Sequence, residues 1–525
     1  MTDQAASPFS SPQAVKRLKR RRAADVRFRL YGLGAIILAL SALVMLVLSI
    51  GSQAVSAATY HVVRYDVILD PAVITPPGEE TPEDIARNVD GFWELARDNL
   101  IETFPEAGAD RGRRMEISTF ITRLAVLPTA RHVAAHPELL GRPITLTAPL
   151  DDDIDLYLKG RGVKERRLRA GPVTTVTPLE DGAAQLSGDG AFAAIAPALM
   201  TLADEGAPVD ELSVLLTSGR STGRLHDIQP GAARLELLTG TLDAFAGSGA
   251  TLRIVELPEA QRTVSDRQIG WALALKDMGR VSRVPRWSLL TNSDSTYPEL
   301  AGGLAAIVGS LLTMIVTALV AIPIGILAAV YLEEFARRNR FTDFIEVNIN
   351  NLAAVPSIVF GLLGAALFLN FLGMPRSAPL VGGLVLALMT FPVVIIASRA
   401  ALKSVPPSVR AGALAIGASP MQTVFHHVLP LAAPGMLTGA ILGMARALGE
   451  TAPLLLIGMV AFVGDVPSGP TDESTVMPVL IYSWSNNAER AWEPMTSAMI
   501  VILLAFLLLM NGLVVFLRRK YERRW

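Results

Sequence analysis

The stretch Pro406-Pro407-Ser408-Val409-Arg410-Ala411-Gly412-Ala413-Leu414-Ala415-Ile416-Gly417-Ala418-Ser419-Pro420-Met421-Gln422 decides how this chain is read. Two prolines open a helix over Ser408 to Ile416 and Gly417 stops it. Ser419 then fits a helix cap, Pro420 the first helical position, and Gln422 completes a capping box. The spacing predicts a helix-turn-helix, followed by Leu429-Pro430 and a long apolar run. A structured projection of this kind suits docking into a partner's groove better than it suits a plain connector.

Outward from this element the chain is apolar. A helix needs about 20 mostly apolar residues to cross the roughly 30 Å hydrocarbon layer. Six runs qualify: Tyr31 to Gly51, Gly303 to Val330, Leu352 to Leu372, Pro379 to Ala397, Leu431 to Val460 and Met495 to Phe516. Short cytoplasmic segments hold Lys and Arg. Lys16, Arg17, Lys19, Arg20, Arg21, Arg22, Arg27 and Arg29 precede the first run, and Arg337, Arg338 and Arg340 follow the second. Arg399, Lys403 and Arg410 follow the fourth, and Arg518, Arg519, Lys520, Arg523 and Arg524 follow the sixth. The connectors after the third and fifth runs carry only Arg376 and Arg490. Every basic cluster falls on one side, which predicts cytoplasmic tails over 1–30 and 518–525 and places residues 52–300 outside the cytoplasm. Val55-Ser56-Ala57 resembles a signal cleavage site. The apolar run before it is longer than the 7 to 15 residues of such signals, so it reads as an uncleaved anchor over 31–51.

Composition agrees. Of 525 residues, 51% are hydrophobic and 18% charged, with net charge -1, whereas an ordinary soluble chain is about a quarter charged. A neutral balance gives no reason to expect nucleic acid as a partner. The absence of Cys excludes disulfides, thiolate zinc sites and iron-sulfur clusters.

Residues 52–300 mix β-type runs (Leu212 to Leu216, Leu252 to Leu257) with helical ones (Pro82 to Ile101, Phe192 to Leu202), which predicts a mixed α+β domain. Gly219-Arg220-Ser221-Thr222-Gly223 matches a nucleophile elbow, with His226 and Asp227 close by. An elbow needs a helix after the Ser, and Pro230-Gly231 cut one short, so the motif reads as a loop. Asp151, Asp152, Asp153 and Asp155 could grip calcium but lack the glycine and terminal Glu of an EF-hand. They read as a solvated acidic turn facing Arg161, Lys164, Arg166, Arg167 and Arg169. His132 and His136 lack a third ligand and read as surface histidines.

No lysine among Lys16, Lys19, Lys159, Lys164, Lys276, Lys403 and Lys520 follows a glycine, so the chain holds no Walker-type nucleotide site, and no His-Glu-x-x-His zinc motif occurs.

Ala411-Gly412-Ala413-x-x-x-Gly417 with Leu429-Pro430 resembles the loop by which binding-protein-dependent ABC importer permeases couple to their ATPase. Ile322-Pro323-Ile324-Gly325 with Tyr331-Leu332-Glu333-Glu334, then Val355-Pro356-Ser357-Ile358-Val359-Phe360-Gly361, then Ala445-Arg446-Ala447-Leu448-Gly449-Glu450-Thr451-Ala452-Pro453, narrow the resemblance to the PstA family, the A-type permease subunits of phosphate ABC importers. It covers about residues 300–517. It implies a mostly α fold with six transmembrane helices, the core at 301–517, a coupling loop at 408–430, and the mixed domain inserted between the first two spans. It also implies a sister permease, ATPase subunits that hold the ATP-Mg this chain does not bind, an extracytoplasmic phosphate-binding protein, and a place in the bacterial inner membrane. This copy has Ala411 and Gly412 where the family's loop has Glu and Ala, so the contact of that Glu is missing. The shortest members join the first two spans by a small loop; longer members carry an extension like 52–300.

Charges inside a membrane helix cost about 2.5 to 3.5 kcal/mol each, so a retained pair invites a function. Arg446 and Glu450, four apart, are expected on one helix face, with the guanidinium fork suited to phosphate oxygens. Mutual neutralisation is the plainer reading, but polar groups at membrane depth usually face a pathway, and the family places such a pair on its translocation path. The pair sums to zero, which predicts further positive charge from the sister subunit. Gly449 permits close helix approach and Pro453 frees backbone groups, as where helices line a cavity. Two rivals remain at this stage: a permease for sulfate or molybdate, and a membrane-anchored sensor, which would need no coupling helix.

Overall fold

The structure, a computed structural model, describes residues 12–76, 81–179, 182–459 and 462–521. The ends of both expected tails (1–11 and 522–525) and residue 460, where the fifth span was expected to end, lie outside the described residues.

The described residues open with one 46-residue helix, α1 (Pro12–Ala57). The basic segment and the apolar run share it, so the expected boundary between tail and span at residue 31 is a change of composition, not of backbone.

A mixed α+β part with two lobes follows. In the first lobe β1 (Thr59–Ile68) is the centre of a three-stranded antiparallel sheet, flanked by β2 (Pro143–Pro149) and β10 (Val281–Pro285). Helices α2 (Val89–Thr103), α3 (Asp152–Leu158) and α4 (Asp266–Asp277) belong to the same lobe. Its core gathers Tyr65, Phe92, Phe104, Phe120 and Trp271, the last fully buried. The second lobe is a seven-stranded antiparallel sheet in the order β3-β9-β6-β7-β8-β5-β4. Its strands are β3 (Glu165–Arg169), β4 (Thr175–Pro178), β5 (Ala183–Ser187), β6 (Ser213–Ser218), β7 (Ser221–Gln229), β8 (Ala232–Thr239) and β9 (Thr251–Val255). This lobe sits wholly between α3 and α4 in the chain and buries Leu186, Phe192, Leu216, Leu235 and Phe245. The strand and helix runs expected over 212–216, 252–257, 82–101 and 192–202 all fall on such elements.

The last 220 or so residues are helical. Among the described residues, five helices are long and apolar enough to cross a membrane: α1, α5 (Leu304–Val330, continued to Phe335 by a wider π turn), α6 (Pro379–Lys403), α7 (Pro420–Leu448) and α8 (Trp492–Tyr521). A sixth crossing exists only if the helices Arg340–Ala353 and Ser357–Phe371, bent by 104° at their junction, count as one. The third span, expected over Leu352 to Leu372, is corrected at its start: its apolar residues fall mainly on Ser357–Phe371, after the bend. Pro356 drives Val355 out of the α region and cannot donate to the preceding turn, so the chain breaks there and Pro356 caps the second piece. The expected fifth span, Leu431 to Val460, is corrected too. Its helix starts earlier, at Pro420, and ends at Leu448; a five-residue helix, Ala452–Leu456, follows. Hydropathy records composition and does not see these breaks.

Helices α6 and α7 are held together by small residues. Gly435, Gly439 and Gly443 repeat every four residues on α7. A Cβ on them would lie 2.7 Å from the Ala401 Cβ, 2.1 Å from the Ala397 Cβ and 2.9 Å from the Thr390 Cγ2 of α6. With lipid as solvent there is no hydrophobic drive between helices, and this close backbone approach supplies the dispersion contact instead.

Candidate functional site

Three places carry chemistry: the turn before α7, the charged pair at the far end of α7, and an acidic cluster where the mixed part meets the membrane helices.

The turn forms as its residues dictate. Helix Pro407–Ala415 ends at Gly417, whose φ of +87° favours glycine, and Ser419 caps the next helix through a reciprocal bond with Gln422. The second helix is not short: it runs on as α7 into the membrane. Pro430 cannot donate to the turn before it, and the backbone widens to a π turn over Thr423–Val428. Ala411, Gly412 and Gly417 are exposed at the tip and Ala413 is buried; Leu429 and Pro430 lie farther along α7. Leu414, Ile416 and Met421 add large apolar side chains to the exposed tip, Ile416 being 81% exposed.

Ion pairs hold the base of this tip. Arg410 donates from Nε and Nη2 to both carboxylate oxygens of Glu334, at 3.1 and 2.6 Å, and also bonds the carbonyls of Val405 and Leu402. Arg399 reaches Glu333 at 3.4 Å and Glu346 at 2.9 Å. The acidic pair at the end of α5 therefore clamps both the end of α6 and the short helix after it. Two adjacent carboxylates ending an apolar run were the available signal.

At the far end of α7 the sequence-predicted pair does meet: Arg446 Nε lies 3.6 Å from Glu450 Oε1. The route is not the expected helix face. Gly449 caps the helix, and the amide of Glu450 bonds the Ala447 carbonyl at 3.2 Å, so a tight turn curls Glu450 back. The Arg446 side chain is half exposed and Glu450 mostly covered. A Cβ on Gly361 would sit 2.7 Å from the Pro453 Cα, so the two motifs bearing these residues pack directly on one another.

In the mixed part, Gly219 to Gly223 forms the tight turn and first residues of the β6–β7 hairpin, and Ser221 Oγ accepts the amide of Thr241. It is no nucleophile elbow. His132 and His136 stack at 4.7 Å on an exposed face. The acidic turn differs from expectation. Asp155 is buried, bonded by His61 at 2.8 Å and Lys159 at 2.6 Å, with Arg286 at 3.7 Å. Burial raises its pKa, but those partners outweigh the penalty and hold it below the usual range. The basic run pairs elsewhere: Arg166 with Glu205 and Glu256, Arg167 with Glu165. Local charge alternation was misleading because α3 turns its carboxylates inward. Asp151, Asp152 and Asp153 are half-buried, with one oxygen each inside a 4.8 Å cluster. Burial, then neighbouring carboxylates, push Asp151 up to about 7 and Asp152 to about 8.

Two family profiles match the chain: a domain of unknown function (DUF3333) over residues 15–167, and the binding-protein-dependent transport system inner membrane component over 321–523. Among curated proteins, the chain is 34% identical over 248 residues to phosphate transport system permease protein PstA 1 of Mycobacterium tuberculosis, covering 44% of this chain and 77% of that protein. It is 31% identical over 224 residues to PstA of Haemophilus influenzae, covering 42% and 78%, and 31% identical over 239 residues to PstA of Yersinia pestis, covering 45% and 80%.

Proposed function

Because this chain belongs to the PstA family of phosphate transport system permeases, we propose how its parts divide the work of phosphate import. It is a multi-pass inner-membrane permease subunit of a phosphate ABC importer, and it catalyses no covalent chemistry. The long match to curated phosphate permeases is the observation that carries this function.

The bent pair Arg340–Phe371 counts as one crossing, giving six. Both termini are cytoplasmic, and residues 52–300 stand outside, between the first two crossings. The basic clusters flanking the apolar helices support this orientation. The 408–430 element, with Ala411, Gly412, Ala413, Gly417, Leu429 and Pro430, transmits ATP-driven motion from a partner ATPase, which holds the ATP-Mg. Its exposed apolar tip on an ion-paired base supports that role, since a docking knob needs an apolar anchor and a rigid mount. The apolar anchor takes the place of the missing Glu.

Arg446 and Glu450 line the translocation path. At 3.6 Å their ion pair is longer than a charge-assisted hydrogen bond of about 2.8 Å, so the guanidinium keeps donors for phosphate oxygens. Half exposure of the Arg446 side chain supports a path shared with a sister permease, which supplies the remaining positive charge. An extracytoplasmic phosphate-binding protein delivers the anion.

The test is labelled phosphate uptake in cells lacking their own permease, with partner subunits supplied and equal membrane expression. Uptake by the native chain and its loss in Arg446→Ala is the expected result. Full uptake by the variant would remove Arg446 from the path; no uptake by either, in an assembled complex, would overturn the phosphate reading.

A further inference from the structure

We propose that the helix Arg340–Ala353 lies along the cytoplasmic surface of the bilayer, with Phe341, Phe344 and Leu352 among the acyl chains and the arginines at its entry on anionic lipid headgroups. The inference rests on the orientation and the single bent crossing proposed above, and concerns how that crossing begins.

The residues of this helix sort by side. At about 3.6 residues per turn, Phe341, Phe344 and Leu352 share one stripe, Ile345 and Ile349 stand beside it, and Asp343 and Asn350 fall on the far side. Protein holds the second side: Glu346, next to the isoleucines, pairs with Arg399 of α6 at 2.9 Å, and Ile349 packs on the cluster that contains Val330 and Ile395. The far side is polar and exposed. The first stripe is bare, Phe341 being 70% and Phe344 64% exposed, and no residue of the helix is buried. Asn348 also falls on that stripe, but its amide donates to the Phe344 carbonyl at 2.7 Å and does not break it.

Four observations name lipid as the cover. The helix stands 104° from Ser357–Phe371, so it runs across the direction of the crossing and not along it. Arg399 is four residues from the end of α6, which sets the helix at the depth where α6 leaves the membrane. Arg337, Arg338 and Arg340 are exposed and make no ion pair among the described residues. Past the bend the exposed apolar surface continues through Ile358, Val359 and Leu362. An apolar stripe with a polar back and unpaired guanidiniums at one end complements an anionic leaflet, acyl chains taking the rings and headgroup phosphates the arginines. Lying there, the helix holds the cytoplasmic ends of α5 and α6, to which Ile349 and Glu346 fasten it, at headgroup level.

The chain has no Cys, so single cysteines report alone. Phe341→Cys, Asp343→Cys, Asn350→Cys and Leu352→Cys, all at exposed positions, are spin-labelled in the full chain assembled with its partner subunits. The vesicles contain phosphatidylethanolamine and phosphatidylglycerol. The expected ratio of oxygen to nickel-chelate accessibility is about fivefold higher at 341 and 352 than at 343 and 350. Labels at 341 and 352, about 16 Å apart along the helix, should read depths within about 8 Å of each other. In phosphatidylcholine alone the label at 341 should become about twofold more accessible to nickel, and Arg337→Gln with Arg338→Gln should abolish that difference. A full 16 Å difference in depth, or equal ratios on the two sides, overturns the in-plane helix. Shielding of 341 and 352 from both reagents assigns the stripe to a protein neighbour and overturns the lipid. No dependence on phosphatidylglycerol overturns the headgroup contact. A membrane-impermeant maleimide should reach Asp343→Cys from the cytoplasmic face only; reaction from the opposite face overturns the orientation proposed above, whereas failed depths with correct sidedness overturn this helix placement alone.

Discussion

Replacing Arg410 with Ala should loosen the helix Pro407–Ala415 and the turn after it without unfolding the membrane core. The side chain makes four hydrogen bonds: two to Glu334 and one each to the carbonyls of Val405 and Leu402. Truncation strands the Glu334 carboxylate, whose side chain is 9% exposed. Removing one partner of a buried pair costs about 3–5 kcal/mol, but Arg410 is a quarter exposed, so water reaches the gap and about 2 kcal/mol is the better figure. At 1.4 kcal/mol per decade that is about a 30-fold rise in local opening. Amides of Pro407–Ala415 should then exchange hydrogen about 30-fold faster in detergent, while interior amides of α5 and α6 hold their rates. Arg410→Lys should fall between, since it keeps the charge and loses the fork. Pairing Arg410→Ala with Glu334→Ala should recover part of the loss, because no buried charge is left alone. Phosphate uptake should drop while membrane abundance is kept. Unchanged exchange over 407–415 in Arg410→Ala would refute the clamp.

Gly417→Ala forces a side chain into φ of +87° and should cost about 1–2 kcal/mol in the same turn, read as faster exchange at Ile416 to Ser419. Gly439→Leu has no room against Ala397 and should separate α6 from α7, lowering the melting temperature of the detergent-solubilised chain; an unchanged melt would contradict the small-residue seam. Trp271→Ala empties the centre of the first lobe at a cost of about 3–5 kcal/mol, to be seen as protease sensitivity within residues 59–300 while the membrane helices stay resistant.

Much of this is legible in the sequence, and the reasons are local. Ser419, Pro420, Gln422 and Gly417 specify their turn through neighbours within four residues, so the turn formed as predicted. Long apolar runs marked the membrane helices because lipid demands length and hydropathy alone. What escaped was non-local. Nothing adjacent to Arg410 announces Glu334, 76 residues away, and the inward turn of Asp155 depends on His61 and Arg286 from other elements. Pro356 stands in plain view inside the apolar run Leu352 to Leu372, but only its restriction of Val355 shows that the run is broken there. The Gly435, Gly439, Gly443 repeat was in plain sight and had no partner until α6 was placed beside it. Arg446 and Glu450 stand out in the sequence by their charge, yet the turn that joins them follows from Gly449.

The second lobe enters and leaves the first at one spot. Glu165 on β3 pairs directly with Val255 on β9, so the two ends of a ninety-residue excursion stand about 5 Å apart. A module with adjacent ends can be gained, lost or exchanged without rethreading its host, since a short bridge closes the cut. Evolution could therefore have elaborated the exterior of this permease while the helices that move phosphate stayed in register, and a fluorescent protein spliced at the same doorway should leave transport running.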